Sequence, residues 1–313
     1  MGNSELSYLY LSGRVQTLRA TLLNWDTVAR MAAAESYAEA LRTVRENGGE
    51  EDVSIVLKEK KAQLFAELSR ARAGKNIVDL FRWPYDCHNA KVLLKTYLTG
   101  QETGGTLSFC GAVDEGQLAE AVRGEAALAL PQWLRTGIAE AKRLWTDSRS
   151  PQLVDAALDR ASFVGRRKAA QESGSSAAVE YMILQIDGIN LQTLLRMKNA
   201  RNEAVEELLL PGGSVSPARL LDCRAAGNLA AAFSQPQLRA AAEIGSAAQA
   251  EDALTALLSA FARRCGSVPY GAETLLGFLL QLELYQGALR MVLTLQHYGH
   301  VKECRERLEV LYG

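Results

Sequence analysis

The chain has 313 residues, 48% of them apolar and 23% charged, with a formal net charge of −1. This balance is that of a globular domain protein, and it excludes a broad nucleic-acid footprint, which needs clustered Lys and Arg to displace counterions. No apolar run approaches the ~18 residues of a membrane helix, since Gln281 interrupts even LLGFLLQLEL.

The opening MGNSELSYLY lacks the basic and apolar regions of a secretory signal, and Leu6 stands where N-myristoylation needs Ser or Thr, so a cytoplasmic protein is expected. The dispersed cysteines Cys87, Cys110, Cys223, Cys265 and Cys304 read as reduced thiols, mostly buried as small hydrophobes. In SELSYLYLSGRVQTLRATLL, Tyr8, Leu11, Val15, Leu18 and Leu22 recur every three or four residues, which puts them on one helix face. Short Ala/Leu-rich helices follow in NWDTVARMAAAESYAEAL. A second stripe, Val53, Val56, Leu57, Leu64 and Leu68, runs through EDVSIVLKEKKAQLFAELSRA after an acidic start at Asp52. The basic KEKK (58–61) within it reads as a solvated face, with anionic lipid headgroups as the sharper reading. AGKN (73–76) lacks the glycine, hydroxyl residue and strand of a phosphate loop and reads as a helix–helix turn at Gly74.

The next helix holds YDCHNAKVLLK (85–95), where Asp86, Cys87 and His88 are adjacent potential ligands. Trp83-Pro84 just before it is expected to kink or restart the helix. A loop, TGQETGGTLS (99–108), leads to the Ala/Leu-rich EGQLAEAVRGEAALAL. Ser150-Pro151 is an N-cap serine before a first-turn proline, with acidic Asp155 close behind. GRRK (165–168) is a second basic cluster, again expected on a solvated face, and ESGSSAA (172–178) separates two helices. After QIDGINLQTLLR (185–196) come a loop, LPGGSVSP (210–217), a second N-cap at Ser216-Pro217, and the short-helix segment SPARLLDCRAAGNLAAAF. Asp252 opens a further helix, ELYQGALRMVL (283–293) lies beyond it, and QHYGH precedes Cys304. His297, His300 and Cys304 could share a helix face, but a zinc site wants better-defined spacing and Gly299 interrupts the run. Trp25, Trp133 and Trp145 are expected in the core. No strand alternation or hairpin signal is present, so the fold class is all-α.

The chain repeats itself. Asp187 stands 101 residues after Asp86, Asn190 then matches Asn89, Leu194-Leu195 matches Leu93-Leu94, and Arg196 matches Lys95. In a third, weaker copy Arg290 aligns with Lys91, which sets Tyr285 and Ala288 at the Asp and Asn positions. The repeat divides the chain into similar helical domains at residues 1–106, 107–210 and 211–313. It also weakens a catalytic reading of Cys87 and His88, whose counterparts are Gly188 and Ile189. Asp and Asn three apart share a helix face and are expected to hydrogen-bond a neighbouring element. His88 is expected to be a partly buried hydrogen-bonding residue. A metal-dependent enzyme centred on Asp86 and His88 would need a second ligand cluster that the sequence lacks.

YLYLSGRVQTLRATLL, LFRWPYDCHNAKVLLK, LVDAALDRASF and QIDGINLQTLLR together resemble the C subunit of the bacterial and archaeal V/A-type rotary ATPases, whose eukaryotic relative is the d subunit of the vacuolar ATPase. The resemblance runs from about Tyr8 onward, and the Asp-x-x-Asn helix and Leu158-Asp159-Arg160 are its most specific parts. It implies an all-helical funnel of three domains in pseudo-threefold arrangement. It implies a noncatalytic rotor part on the cytoplasmic face of the membrane, peripheral, with the membrane proteolipid ring below and the D and F subunits of the central stalk in its socket. No cofactor, metal, nucleic acid or small-molecule substrate is implied. Asp86, Asn89, Lys91, Lys95, Asp187, Asn190, Arg196 and Arg290 are then structural motif residues. A helical scaffold or adaptor of another assembly is the alternative.

Overall fold

The structure, a computed structural model, describes residues 3–22, 24–46, 53–101, 104–125 and 130–313. Asp52 and the side chains of Val53, Val56, Leu57 and Lys58 lie outside the described residues. All regular structure among the described residues is helical. In chain order the α-helices are α1 (Asn3–Leu22), α2 (Trp25–Ala33), α3 (Tyr37–Glu46), α4 (Val53–Ser69) and α5 (Lys75–Thr99). Then come α6 (Glu115–Arg123), α7 (Gln132–Ser148), α8 (Pro151–Glu172), α9 (Ser176–Arg196) and α10 (Asn202–Glu206). The last are α11 (Pro217–Ala225), α12 (Pro236–Ile244), α13 (Ala247–Gly266), α14 (Ala272–His297) and α15 (Val301–Tyr312).

The helix starts follow from local chemistry. Ser150 and Ser216 each accept the backbone N–H three residues on, from Leu153 and Arg219, with proline at the first helical position. Ser175, Asp114 and Asn24 cap α9, α6 and α2 in the same way. The helices form two compact units, one of residues Met1–Lys75 with Asp252–Gly313, the other of Asn76–Glu251.

In the first unit, α14 is buried around most of its circumference from Leu275 to Leu280, as a central helix must be. Leu11, Val15 and Leu18 of the expected α1 stripe are buried. Val28, Met31 and Ala32 of α2 join Ala40 of α3 in a cluster with Tyr285, Ala288, Leu289, Val292 and Cys304. AGKN is a tight 3-10 turn, Arg72–Gly74, running into α5. The turn approaches its neighbours so closely that a Cβ on Gly74 would lie 2.8 Å from Leu11 and from Leu275. Lys61 departs from the solvated-face expectation. It is only 4% exposed, pairing with Glu283 at 3.1 Å and donating to Gln286 at 2.5 Å across α4 and α14.

In the second unit, one apolar cluster joins Cys87, Ala90 and Leu94 of α5 to faces of α6, α7 and α8. Gly165 of α8 packs so tightly on Trp133 that a Cβ there would lie 2.5 Å from the ring. Three expectations are corrected here. The helix does not restart at Trp83-Pro84, since α5 runs unbroken through Pro84. Proline has no N–H to give to the carbonyl four residues back, and the freed Leu80 carbonyl instead accepts from Arg166 Nε at 2.9 Å. Arg166 therefore does not belong to a solvated basic face. It is buried and also donates to Gln185 at 2.7 Å. His88 hydrogen-bonds the Thr106 carbonyl at 3.0 Å, as a hydrogen-bonding residue should, but it is exposed rather than partly buried. Trp133 lies in the core, whereas Trp25 and Trp145 are half-buried. All five cysteines are free and buried.

Candidate functional site

Asp86 and Asn89 lie on one face of α5 and grip the loop that enters α6. The Asn89 amide bonds one residue twice: its Oδ1 accepts from Ser108 N–H at 2.8 Å and its Nδ2 donates to the Ser108 carbonyl at 2.7 Å. Only a primary amide offers a donor and an acceptor in this geometry. Asp86 accepts from the N–H groups of Ala112, at 2.9 Å, and Val113, at 3.0 Å. The chain then reaches Asp114, the cap of α6.

The second copy repeats the arrangement bond for bond at its asparagine. Asn190 Oδ1 accepts from Leu210 N–H at 2.8 Å and Nδ2 donates to the Leu210 carbonyl at 2.8 Å. Asp187 accepts from Ser214 N–H at 2.9 Å and from the Ser214 hydroxyl at 2.5 Å, just before the α11 cap Ser216. Gly111 and Gly213 occupy matching places. A Cβ on either would overlap the Oδ1 of its aspartate, so the loop can come this close only with glycine there.

The third long helix uses other chemistry. Tyr285 accepts the backbone N–H of Asn24, the cap of α2. Farther along α14, Gln296 donates to the carbonyls of Met31, at 3.1 Å, and Ala34, at 3.0 Å, where α2 ends. Ala288 is buried in the apolar cluster. Here the polar pair of the other copies is replaced by a phenol and a more distant amide, both again directed at a short helix.

Burial sets the electrostatics of these clasps. It pushes the Asp86 carboxyl up to about 6, against the pull of the Val113 and Ala112 N–H groups and of Arg82. Asp187 is raised for the same reason, opposed by the Ser214 hydroxyl and by backbone N–H groups. Burial also pushes the Cys87 thiol up to about 12, so it stays protonated near neutrality, within 3.8 Å of Asp159. A thiol held in that state is a poor nucleophile and a poor metal ligand.

The cations lie beside the clasps and not in them. Lys91 and Lys95 of α5 pair with Asp159, at 2.6 Å, and Asp155, at 3.2 Å, of α8, making a two-rung ladder of residues four apart on both helices. Arg196 reaches Glu251 at 3.5 Å with both partners well exposed, which contributes little. Arg290 donates to Gln286 of its own helix at 3.3 Å. The acidic Asp252 pairs with Arg307.

The remaining candidates are dispersed among separate roles. His297 sits edge-on to Tyr37, His300 faces Glu303 at 3.6 Å, and the Cys304 thiol is buried against the Val292 carbonyl. Among the described residues, no three His, Cys, Asp or Glu are grouped to hold a metal ion. A cleft of about 720 Å³ runs along α7 and α8, lined by Trp83, Trp133, Leu144 and Val164. Its rim charges pair with one another, Arg143 with Glu140 and Lys168 with Glu172. The arrangement immobilises backbone: Asn89 and Asn190 each hold one loop residue at both its N–H and its carbonyl.

Residues 11–307, almost the whole of this chain, match the ATP synthase (C/AC39) subunit family. The chain belongs to this C/AC39 family. Among curated relatives, it is 28% identical over 220 residues to the C subunit of the V-type ATP synthase of Thermus thermophilus, covering 66% of this chain and 68% of that protein. It is 25% identical over 199 residues to the C subunit of the V-type sodium ATPase of Enterococcus hirae, covering 61% of each. Within this C/AC39 chain, sequence reasoning singled out Asp86, Asn89, Asp187 and Asn190 but missed the loop residues they hold. The signal was present: LSFCGAV (107–113) and LLPGGSV (209–215) keep Leu, Gly and Val in register.

Proposed function

We propose that this chain is the C subunit of a V/A-type rotary ATPase, a noncatalytic coupling part that joins the central stalk to the membrane proteolipid ring. The match of residues 11–307 to the C/AC39 family carries this reading, and the names of the Thermus and Enterococcus relatives support it. The partners are the D and F subunits of the stalk on one side and the ring on the other, with the chain held peripherally at the cytoplasmic face. No described helix is long and apolar enough to cross a membrane, in keeping with attachment through the ring.

The physics suits torque transmission. Close-packed helices deform little under load, and polar clasps with satisfied donors and acceptors fix the loops between them. In this reading the chain is three copies of one plan, residues 1–106, 107–210 and 211–313, whose short helices and connecting loops meet the stalk. Asp86, Asn89, Asp187 and Asn190 hold those loops, while Lys91, Lys95, Arg196 and Arg290 line the adjoining helix faces. Co-purification with a D–F complex tests it. A stable complex is expected, and absence of binding across several salt concentrations would refute the assignment.

A further inference from the structure

The loop gripped by the first clasp turns one aromatic side chain outward. Ser108 is tied at both its N–H and its carbonyl to Asn89, the Gly111 carbonyl accepts from Arg82, and Ala112 and Val113 are held by Asp86. Cys110 is buried. Between these fixed neighbours Phe109 is 58% exposed. A ring on a loop whose flanking backbone is already immobilised has lost much of the freedom that association would otherwise cost. Buried aromatic anchors are also where binding energy concentrates at protein interfaces. The second clasp does not repeat the feature, because Pro211 stands at the matching position.

The chain that follows is acidic. Asp114, Glu115, Glu120 and Glu125 are all exposed, with Arg123 the one basic residue in 114–125. A partner that covers Phe109 and extends over these carboxylates is best matched by an apolar recess flanked by lysine or arginine. We propose that Phe109 is a preorganised docking anchor for such a basic-rimmed recess on the central stalk. The inference rests on the rotary-ATPase reading above, in which the loops entering the short helices meet the stalk.

The test uses the full chain and a purified D–F complex, with affinity measured at low and high salt and stability by urea unfolding. Phe109→Ala should weaken stalk binding about tenfold or more with unchanged unfolding, while Phe109→Leu retains most of the affinity. Asn89→Ala, which frees the loop, should weaken binding too, and Phe109→Ala should then add little. Wild-type affinity should fall as salt rises. Equal binding by wild type and Phe109→Ala overturns the anchor and leaves the family-based assignment standing. Loss of ring association with stalk binding intact overturns it as well. Failure of the wild-type chain to bind D–F removes the assignment on which the anchor rests.

Discussion

At the scale of single residues, the contrast between Asp86 and its neighbour His88 is the sharpest. Asp86 accepts two backbone N–H groups from a buried position, whereas His88 is an exposed ring bonded to one carbonyl. Removing a buried acceptor that holds two part-buried N–H groups costs about 1–3 kcal/mol, so Asp86→Ala should lower urea-unfolding stability by that amount. His88→Gln should stay within about 0.5 kcal/mol of wild type. The carboxyl also makes a pH signature. Its folded-state value of about 6 lies above the ordinary 3.8, so the folded chain holds this proton more tightly than the unfolded chain. Asp86 therefore favours folding most at low pH, and its contribution is lost as pH rises from about 4 through about 6. A melting-temperature profile over that window should show the decline, and Asp86→Asn should remove it. The Asp-x-x-Asn pair was legible because it recurs at a fixed interval. The burial that shifts the carboxyl was not, since a sequence does not say which loop will cover a helix face.

Between helices, the chain resolves conflicts that are visible in its sequence. Pro84 inside α5 leaves the Leu80 carbonyl without its helical donor, and Arg166 of α8 supplies one. From sequence alone both residues point the wrong way, the proline to a helix break and the arginine, within GRRK, to solvent. Charged residues are exposed by default, and only the pairing of two exceptions on different helices makes each of them acceptable. The two should be coupled. Arg166→Leu strands a buried carbonyl in the wild-type background, but Pro84→Ala restores the missing N–H. A double-mutant cycle by chemical denaturation should give a coupling of about 0.5–3 kcal/mol, with Arg166→Leu less damaging beside Pro84→Ala. Lys61 follows the same logic on α4, paired with Glu283 of α14 where KEKK alone predicts a solvated face.

Across the whole molecule, helices, caps and their all-α character were readable because apolar spacing and capping chemistry are local. Which helix faces meet was not, because packing partners such as Lys61 and Glu283 lie far apart in the chain. The clasps nonetheless behave as separable staples. Asn89 holds Ser108 and Asn190 holds Leu210, with no partner in common. Asn89→Ala and Asn190→Ala should thus be additive in unfolding free energy within about 0.5 kcal/mol, and hydrogen exchange should quicken in each loop independently. One compact unit is continuous, residues 76–251, while the other is assembled from the first 75 residues and from 252 onward. The continuous segment, produced alone, should unfold cooperatively by calorimetry, and residues 1–75 alone should not.

That discontinuity orders events at the ribosome. The short helix α2 is made well before the groups that hold it, Tyr285 and Gln296. At roughly 5–20 residues per second, the early helices wait on the order of ten seconds or more while the middle of the chain is synthesised and folds. The α2 residues that pack on Tyr285, Leu289 and Val292 lack those partners through that interval, which leaves an apolar face for a chaperone to shield during translation.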